Sequence, residues 1–355
     1  MVETVIKGVS IEGVVTVVPS DIVTFEDDAS RLNINTSQAK RIKDSIGLSE
    51  RRVIKKGITA LDLGEKACKE LIKGLKNNAD DIGFLIFVTQ TPDHSQPCNA
   101  AILQSRLGFD SSVGSMDINL GCSGYIYGLF TAASMAKSLD RDILLVVGDT
   151  LSTIVNPLDR STAILFGDAA SATLLSNKDG EQMFFDMSTD GSGYESIIVP
   201  AGGARMPQTE FTSKENKDDD GNIRSPNDLK MIGGDVFNFA VRTEPIAVKK
   251  LLDYSKILET DIDFFFFHQA NKYILRTIAR RLNLPKDKVP DSIITKYGNQ
   301  SSASIPCVIN ESLQANKSSL VLLSGFGVGL SWASMICRLE LKYCPSPITW
   351  DQNNE

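Results

Sequence analysis

The chain has 355 residues, 42% hydrophobic and 23% charged, which is enough apolar material for a sizeable core and the balance of an ordinary soluble protein. A net charge of −7 argues against a broad phosphate-binding surface for nucleic acid, and no apolar run approaches the roughly 20 residues that span a bilayer. Six cysteines, at 68, 98, 122, 307, 337 and 344, form no C-x-x-C pair, so neither a metal site nor a disulfide framework is indicated. With no signal-peptide order in residues 1–7, a cytoplasmic protein with reduced thiols is expected.

Along the chain, four apolar runs rich in β-branched or aromatic residues predict buried strands: Phe84-Leu-Ile-Phe-Val88, Ile143-Leu-Leu-Val-Val147, Phe264-Phe-Phe-Phe267 and Leu320-Val-Leu-Leu323. Helical patterns lie between them, among them 99–107 and 272–282, and the alternation predicts a mostly parallel sheet with helices on its faces. The two halves repeat one another. Asp81-Ile-Gly-Phe84 and Asp261-Ile-Asp-Phe264 each open a strand, and the following helices end at Arg106-Leu-Gly-Phe109 and Arg281-Leu-Asn-Leu284. A short strand and sharp turn come next, at Gly121-Cys-Ser123 and Gly298-Asn-Gln-Ser301, before the strands at 143 and 320. The matches keep one order at offsets of roughly 175 to 180 positions, which indicates duplication. The division falls into residues 1–178 and 179–345, with an apolar-poor loop insertion at 203–230 and a loose tail at 346–355.

Three of these turns carry chemistry. Cys122 stands between a short strand and a long apolar helix, where backbone N–H groups and the positive end of the helix dipole are expected to lower its thiol pKa. Packed cysteines are common, so this segment alone leaves nucleophile and core residue both open. His268 ends an apolar strand and opens His268-Gln-Ala-Asn271, surroundings that disfavour the cation and suit a neutral hydrogen-bond donor or a satisfied core residue. Asn299 in Tyr297-Gly-Asn299 reads equally as a helix cap. The glycine-rich Ser324-Gly-Phe-Gly-Val-Gly329 follows a strand and lacks the Lys-Ser/Thr ending of a P-loop.

Together, Gly121-Cys-Ser-Gly124, Asp159-Arg-Ser-Thr162 with Phe166-Gly-Asp168, His268-Gln-Ala-Asn271, Tyr297-Gly-Asn299 and Gly325-Phe-Gly327 resemble β-ketoacyl-acyl-carrier-protein synthase III, in the same order and over residues 45–342. The resemblance implies a thiolase-like α/β fold, two duplicated βαβαβ halves forming a layered α/β/α/β/α core, and a homodimer. It implies a triad of Cys122, His268 and Asn299, and an oxyanion hole from the backbone of Cys122, Gly327 and Val328. The reaction so implied is decarboxylative condensation of an acyl thioester, carried on coenzyme A or on a carrier protein, with malonyl-acyl carrier protein. It needs no resident cofactor or metal. Elongating ketosynthases are similar but carry a second histidine where Asn299 stands. Thiolases carry a second cysteine beside the terminal glycine loop, which has none here.

The resemblance further implies binding of the donor or its carrier by Arg160, Lys272 and Arg276, and a place for the loop containing His94 near the two-fold axis. The family's tryptophan and arginine contacts to coenzyme A are replaced by Arg41 and Ser45, and a glycine of the terminal loop by Val328. These departures leave a rival of the same fold, an acyltransferase passing the Cys122-bound acyl group to a hydroxyl or amine of a sugar or secondary metabolite.

Overall fold

In the computed structural model, which describes residues 2–76, 79–178 and 180–351, two sheets lie in the interior. The first has the strand order Ile348–Trp350, Ser10–Pro19, Ala169–Ser176, Asp142–Asp149, Ile82–Val88, Gly114–Ile118. The second runs Val2–Ile6, Met183–Thr189, Ser331–Leu339, Ser319–Gly327, Phe264–Phe267. The duplication is visible in the pairing. Ile82–Val88 lies parallel to Asp142–Asp149 as Phe264–Phe267 lies parallel to Ser319–Gly327, and each partner then pairs antiparallel with the strand that follows it.

Side-chain alternation along the strands builds the layers. Ile86, Val88, Leu145 and Val147 of the first sheet, and Phe266, Val321 and Leu323 of the second, face a shared central layer. That layer holds the helices Gly124–Leu139 and Ser304–Ser312, through Tyr125, Ile126, Leu129, Ile305 and Val308. The intervening residues face outward. Leu85, Phe87, Leu144 and Val146 pack on the helix Ala60–Leu75, and Phe265, Phe267 and Leu322 pack on Gly233–Ser255 and Lys272–Leu282. The result is the expected α/β/α/β/α sandwich of the thiolase fold. Its middle helices are apolar around most of their surface because both sheets cover them.

Three local expectations change. No strand of the second sheet answers Gly114–Ile118, because residues 292–297 before the Gly298 turn form a short helix. The halves also exchange their ends. Val2–Ile6 joins the second sheet beside Met183–Thr189, and Ile348–Trp350, in the segment expected to be loose, pairs in parallel with Val17–Pro19. The Ile-Thr-Trp sequence has high strand propensity, and Ile348 and Trp350 pack against the outer core of the first half. Residues 352–355 of that tail lie outside the described residues. The 203–230 segment is mostly exposed and is tied down at a few points. Its small hairpin, Asn216–Lys217 with Ile223–Arg224, is held by Arg224 on the buried Asp159 (3.0 Å) and by Asn156 donating to Glu215 (2.8 Å). No helix among the described residues is long and apolar enough to cross a membrane.

Candidate active site

The three turns singled out in the sequence converge on one cavity of about 320 Å³, lined by Cys122, His268 and Asn299 together with Gly327 and Val328. Its remaining wall is largely apolar, with Leu151, Ile154, Phe166, Ile197, Leu229 and Met231 prominent. Leu229 and Met231 belong to the far end of the inserted loop and the strand after it, so this insertion helps shape the cavity.

Cys122 is partly exposed to this space, just before the helix Gly124–Leu139. The glycine loop packs tightly against it. A Cβ on Gly325 would lie 2.6 Å from the Cys122 carbonyl oxygen, and one on Gly327 would lie 2.9 Å from Sγ. Only glycine allows that approach. The N–H groups of Val328 and of Cys122 itself point at the sulfur. The two halves are clasped beside Cys122 by Ser123 Oγ and Ser331 Oγ, 2.7 Å apart.

The surroundings of Cys122 work against the lowered thiol pKa expected from the helix start. Burial pushes Cys122 up to about 12, the Asp149 carboxyl adds to the rise, and the nearby Ser301 hydroxyl and the two N–H groups only partly oppose it. Desolvation of a charge in an apolar chamber opposes the dipole, which acts only within the first helical turn. His268 shifts in the opposite direction, as expected. Burial pulls its pKa down to about 3, with the Ser301 backbone acting weakly against it, so the imidazole is neutral at physiological pH. The His268 backbone N–H donates to the Ser324 carbonyl (2.8 Å), and Nδ1 lies 2.8 Å from Ser304 Oγ.

Asn299 is held by a second tight fit. Its N–H donates to the Leu165 carbonyl (2.9 Å), and its carbonyl accepts from Gly167 (3.0 Å). A Cβ on Gly167 would lie 1.9 Å from the Tyr297 carbonyl oxygen. The Phe166-Gly-Asp168 motif therefore acts by seating the Asn299 turn. Asp168, pushed up to about 6 by burial, accepts from Ile54 N–H (2.9 Å) and Ser152 N–H (3.1 Å) and so pins the segments flanking that turn. The Asn299 amide is itself oriented, since Oδ1 accepts from Ser301 N–H (2.9 Å) and Nδ2 remains free to donate.

The donor-binding residues expected from the resemblance are more dispersed. Lys272 and Arg276 sit on the helix that begins directly after Asn271, a cavity residue, and both face Asp291, at 3.7 and 3.6 Å. Arg160 does not line the cavity. It is exposed and donates to the Leu32 carbonyl (3.1 Å). No group of histidine, cysteine or acidic side chains among the described residues is arranged to hold a metal ion. Sequence reasoning passed over Ser301, Ser304 and Asp149, which surround the triad. None of them carries a periodic or motif signal of its own.

Two half-domains that bring a cysteine, a neutral histidine and an oriented asparagine to one chamber define a condensing enzyme of the thiolase-like class. Comparison with known proteins narrows the class. Residues 116–191 match the family model for 3-oxoacyl-[acyl-carrier-protein (ACP)] synthase III, and residues 252–339 match the model for its C-terminal part. A Streptococcus mutans β-ketoacyl-[acyl-carrier-protein] synthase III is 37% identical over 329 residues, 91% of this chain and 96% of that protein. A Clostridioides difficile enzyme of the same name is 35% identical over 305 residues, covering 84% and 90%. The crystal structure of a 3-oxoacyl-(acyl-carrier protein) synthase from Burkholderia xenovorans LB400 superposes with a TM-score of 0.90 at 36% identity, covering 98% of this chain and 99% of that one. The chain belongs to the 3-oxoacyl-[acyl-carrier-protein] synthase III family.

Proposed function

We propose that this enzyme joins an acyl group to malonyl-acyl carrier protein with loss of carbon dioxide, through an acyl thioester on Cys122. The supporting observation is the meeting of Cys122, neutral His268 and oriented Asn299 in one largely apolar chamber. In the first half-reaction the Cys122 sulfur attacks the donor thioester, and the N–H groups of Cys122 and Val328, with Gly327 beside them, stabilise the tetrahedral oxyanion. In the second, malonyl decarboxylation generates an enolate whose oxygen accepts hydrogen bonds from His268 Nε2 and Asn299 Nδ2. The carbanion then attacks the acyl-cysteine. A neutral histidine fits this role because decarboxylation produces the nucleophile without proton abstraction.

The same reading makes the protein an acyltransferase that works without a resident cofactor. Its thioester donor is carried on coenzyme A or a carrier protein, and Lys272, Arg276 and Arg160 are the cationic candidates for contact with the carrier or the donor phosphates. It is also read as a cytoplasmic homodimer. Gly114–Ile118 is the edge strand of the first sheet and is paired on one side only, so a second copy could extend the sheet across a two-fold axis near the loop that holds His94. A monomer by light scattering at micromolar concentration would overturn the dimer. The relatives favour condensation over the rival transfer to a hydroxyl or amine. The deciding experiment incubates the protein with an acyl-coenzyme A series, then with malonyl-acyl carrier protein, and reads intact-protein and product masses. A β-ketoacyl carrier product supports condensation. Acyl-Cys122 that forms but never decarboxylates the malonyl carrier rejects it.

A further inference from the structure

One residue outside the triad touches all three of its members. Ser301 lies in the turn after Asn299, with its backbone in the left-handed region (φ 50°), a conformation that is uncommon for a residue bearing a Cβ. Its N–H donates to Asn299 Oδ1 at 2.9 Å, its backbone reaches the His268 ring, and its side chain faces the Cys122 sulfur. It lines the same cavity and is 1% exposed. The hydroxyl stands between two acidic partners, the Cys122 thiol and the Asp149 carboxyl, yet makes no hydrogen bond of normal geometry. A buried, unpaired hydroxyl beside a reacting atom is costly to keep, and such contacts often tighten only when the reaction begins. Asp149 is fully buried and is held by Gln90 N–H (2.7 Å), Thr89 Oγ1 (3.2 Å) and Ser302 Oγ (3.2 Å).

We propose that Ser301 is a fourth catalytic residue, whose hydroxyl relays the Cys122 proton to Asp149 during acylation and returns it when the product leaves. As the S–C bond to the acyl carbon forms, Ser301 Oγ accepts the thiol proton and passes its own to an Asp149 carboxylate oxygen. The donor thiolate departs as its C–S bond breaks, and takes a proton from water. In condensation the enolate carbon attacks the acyl-cysteine, Cys122 leaves as thiolate, and the proton returns from Asp149 through Ser301. Each proton is thus accounted for: the relay proton cycles between Cys122 and Asp149, water supplies the one proton that the donor thiolate takes up and is left as hydroxide, and no other co-reactant is needed. The electrostatics favour this path over loss of the proton to bulk water. Ionising Cys122 beside an Asp149 anion would place two negative charges in one desolvated site, whereas the relay keeps one. His268 is the other titratable group at the sulfur's chamber, and its burial holds it neutral and makes it a poor first acceptor.

This proposal rests on Cys122 being the nucleophile. Ser301→Ala and Ser301→Gly both delete the hydroxyl while keeping the backbone contacts to Asn299 and His268, and glycine also relieves the positive φ. Single-turnover acylation by acyl-coenzyme A, followed by intact mass from pH 6 to 10, is expected to slow about 100-fold in both variants. Malonyl-carrier decarboxylation by protein already loaded with acyl groups should change much less. Asp149→Asn should slow acylation comparably, and Ser301→Ala combined with Asp149→Asn should be no worse than either alone. Wild-type acylation rates in a folded Ser301→Ala, or equal losses in both half-reactions together with a lowered melting temperature, overturn the relay. Acyl mass acquired by Cys122→Ala would instead reject the nucleophile on which it stands.

Discussion

The two halves of this molecule repeat a topology, yet they supply opposite halves of the chemistry. The first half presents Cys122, the proposed nucleophile, at a helix start, and burial moves it toward its neutral form by raising the thiol to about 12. The second presents the two proposed donors, His268 and Asn299, and burial moves the histidine toward the neutral form by lowering it to about 3. One physical cause acting on an acid and on a base yields an uncharged pair, unlike the thiolate–imidazolium pairs that other cysteine enzymes hold ready. An uncharged chamber suits an enzyme whose charges, the oxyanion and then the enolate, arrive with the substrates and find N–H groups already aimed.

The first way to break this comparison is to remove each half's contribution in turn. Cys122→Ala should abolish the acyl mass increment on intact protein completely, because nothing in the second half can replace a covalent partner. His268→Ala and Asn299→Ala should keep measurable acyl-cysteine formation and cut malonyl decarboxylation by about 100-fold or more each, roughly 3 kcal/mol per donor. Since both donors act on one charge, the double variant should lose less than the product of the two factors. Intact decarboxylation in Asn299→Ala would mean that the second half does not hold the enolate.

A third variant tests how the halves are joined. In Gly167→Ala the new methyl would lie 1.9 Å from the Tyr297 carbonyl oxygen, which belongs to the turn that seats Asn299. Backbone must move to accept it, and we expect a loss of about 1–3 kcal/mol in stability, with a decarboxylation defect resembling that of Asn299→Ala. A melting temperature and activity equal to wild type would show that the Phe166-Gly-Asp168 motif does not position the donor.

Much of this arrangement was legible in the sequence, for identifiable reasons. Buried strands declare themselves as apolar runs and amphipathic helices by their period, so the strand Phe264–Phe267 and the helix Lys272–Leu282 coincide with their patterns. Cys122 and His268 stand at strand-to-helix ends, and Asn299 at a turn between two helices, where glycine and polar residues interrupt those runs. Other features depend on tertiary context. The helix Gly233–Ser255 carries an internal Pro245 and passed unrecognised. Residues 292–297 became a helix where duplication predicted a strand, because a repeat preserves fold more strictly than each of its elements. Ser301 sits in a run of small polar residues without periodicity, and its importance lies in three contacts that meet only in space. The direction of the Cys122 shift was missed because the helix start is visible in the sequence while the depth of the chamber is not.

That last point gives the subtlest test, one that reads the shape of a pH profile. A thiol raised to about 12 and a histidine lowered to about 3 are both uncharged across the physiological range. Malonyl decarboxylation by acylated protein should therefore be flat from pH 5 to pH 8, since the donor histidine has no protonation step there. Alkylation of Cys122 by iodoacetamide, followed by peptide mass, should be slow at neutral pH and still rising at pH 10, whereas a free cysteine levels off above its pKa of about 8.5. Access will add its own ranking, because Cys68, Cys307, Cys337 and Cys344 are buried and only Cys98 and Cys122 are partly exposed. Stability carries the same signature with the signs worked through. The unfolded chain binds more protons than the folded one between the folded and ordinary histidine values, so His268 costs stability as pH falls from about 6.5 toward 3. Above about pH 9 the unfolded chain holds fewer protons at Cys122, so the thiol costs stability as pH rises toward 12. Cys122→Ala should lessen the alkaline loss and leave the acid limb unchanged. An alkylation rate that plateaus below pH 8 would place a thiolate in the resting site and return the helix dipole to the controlling role.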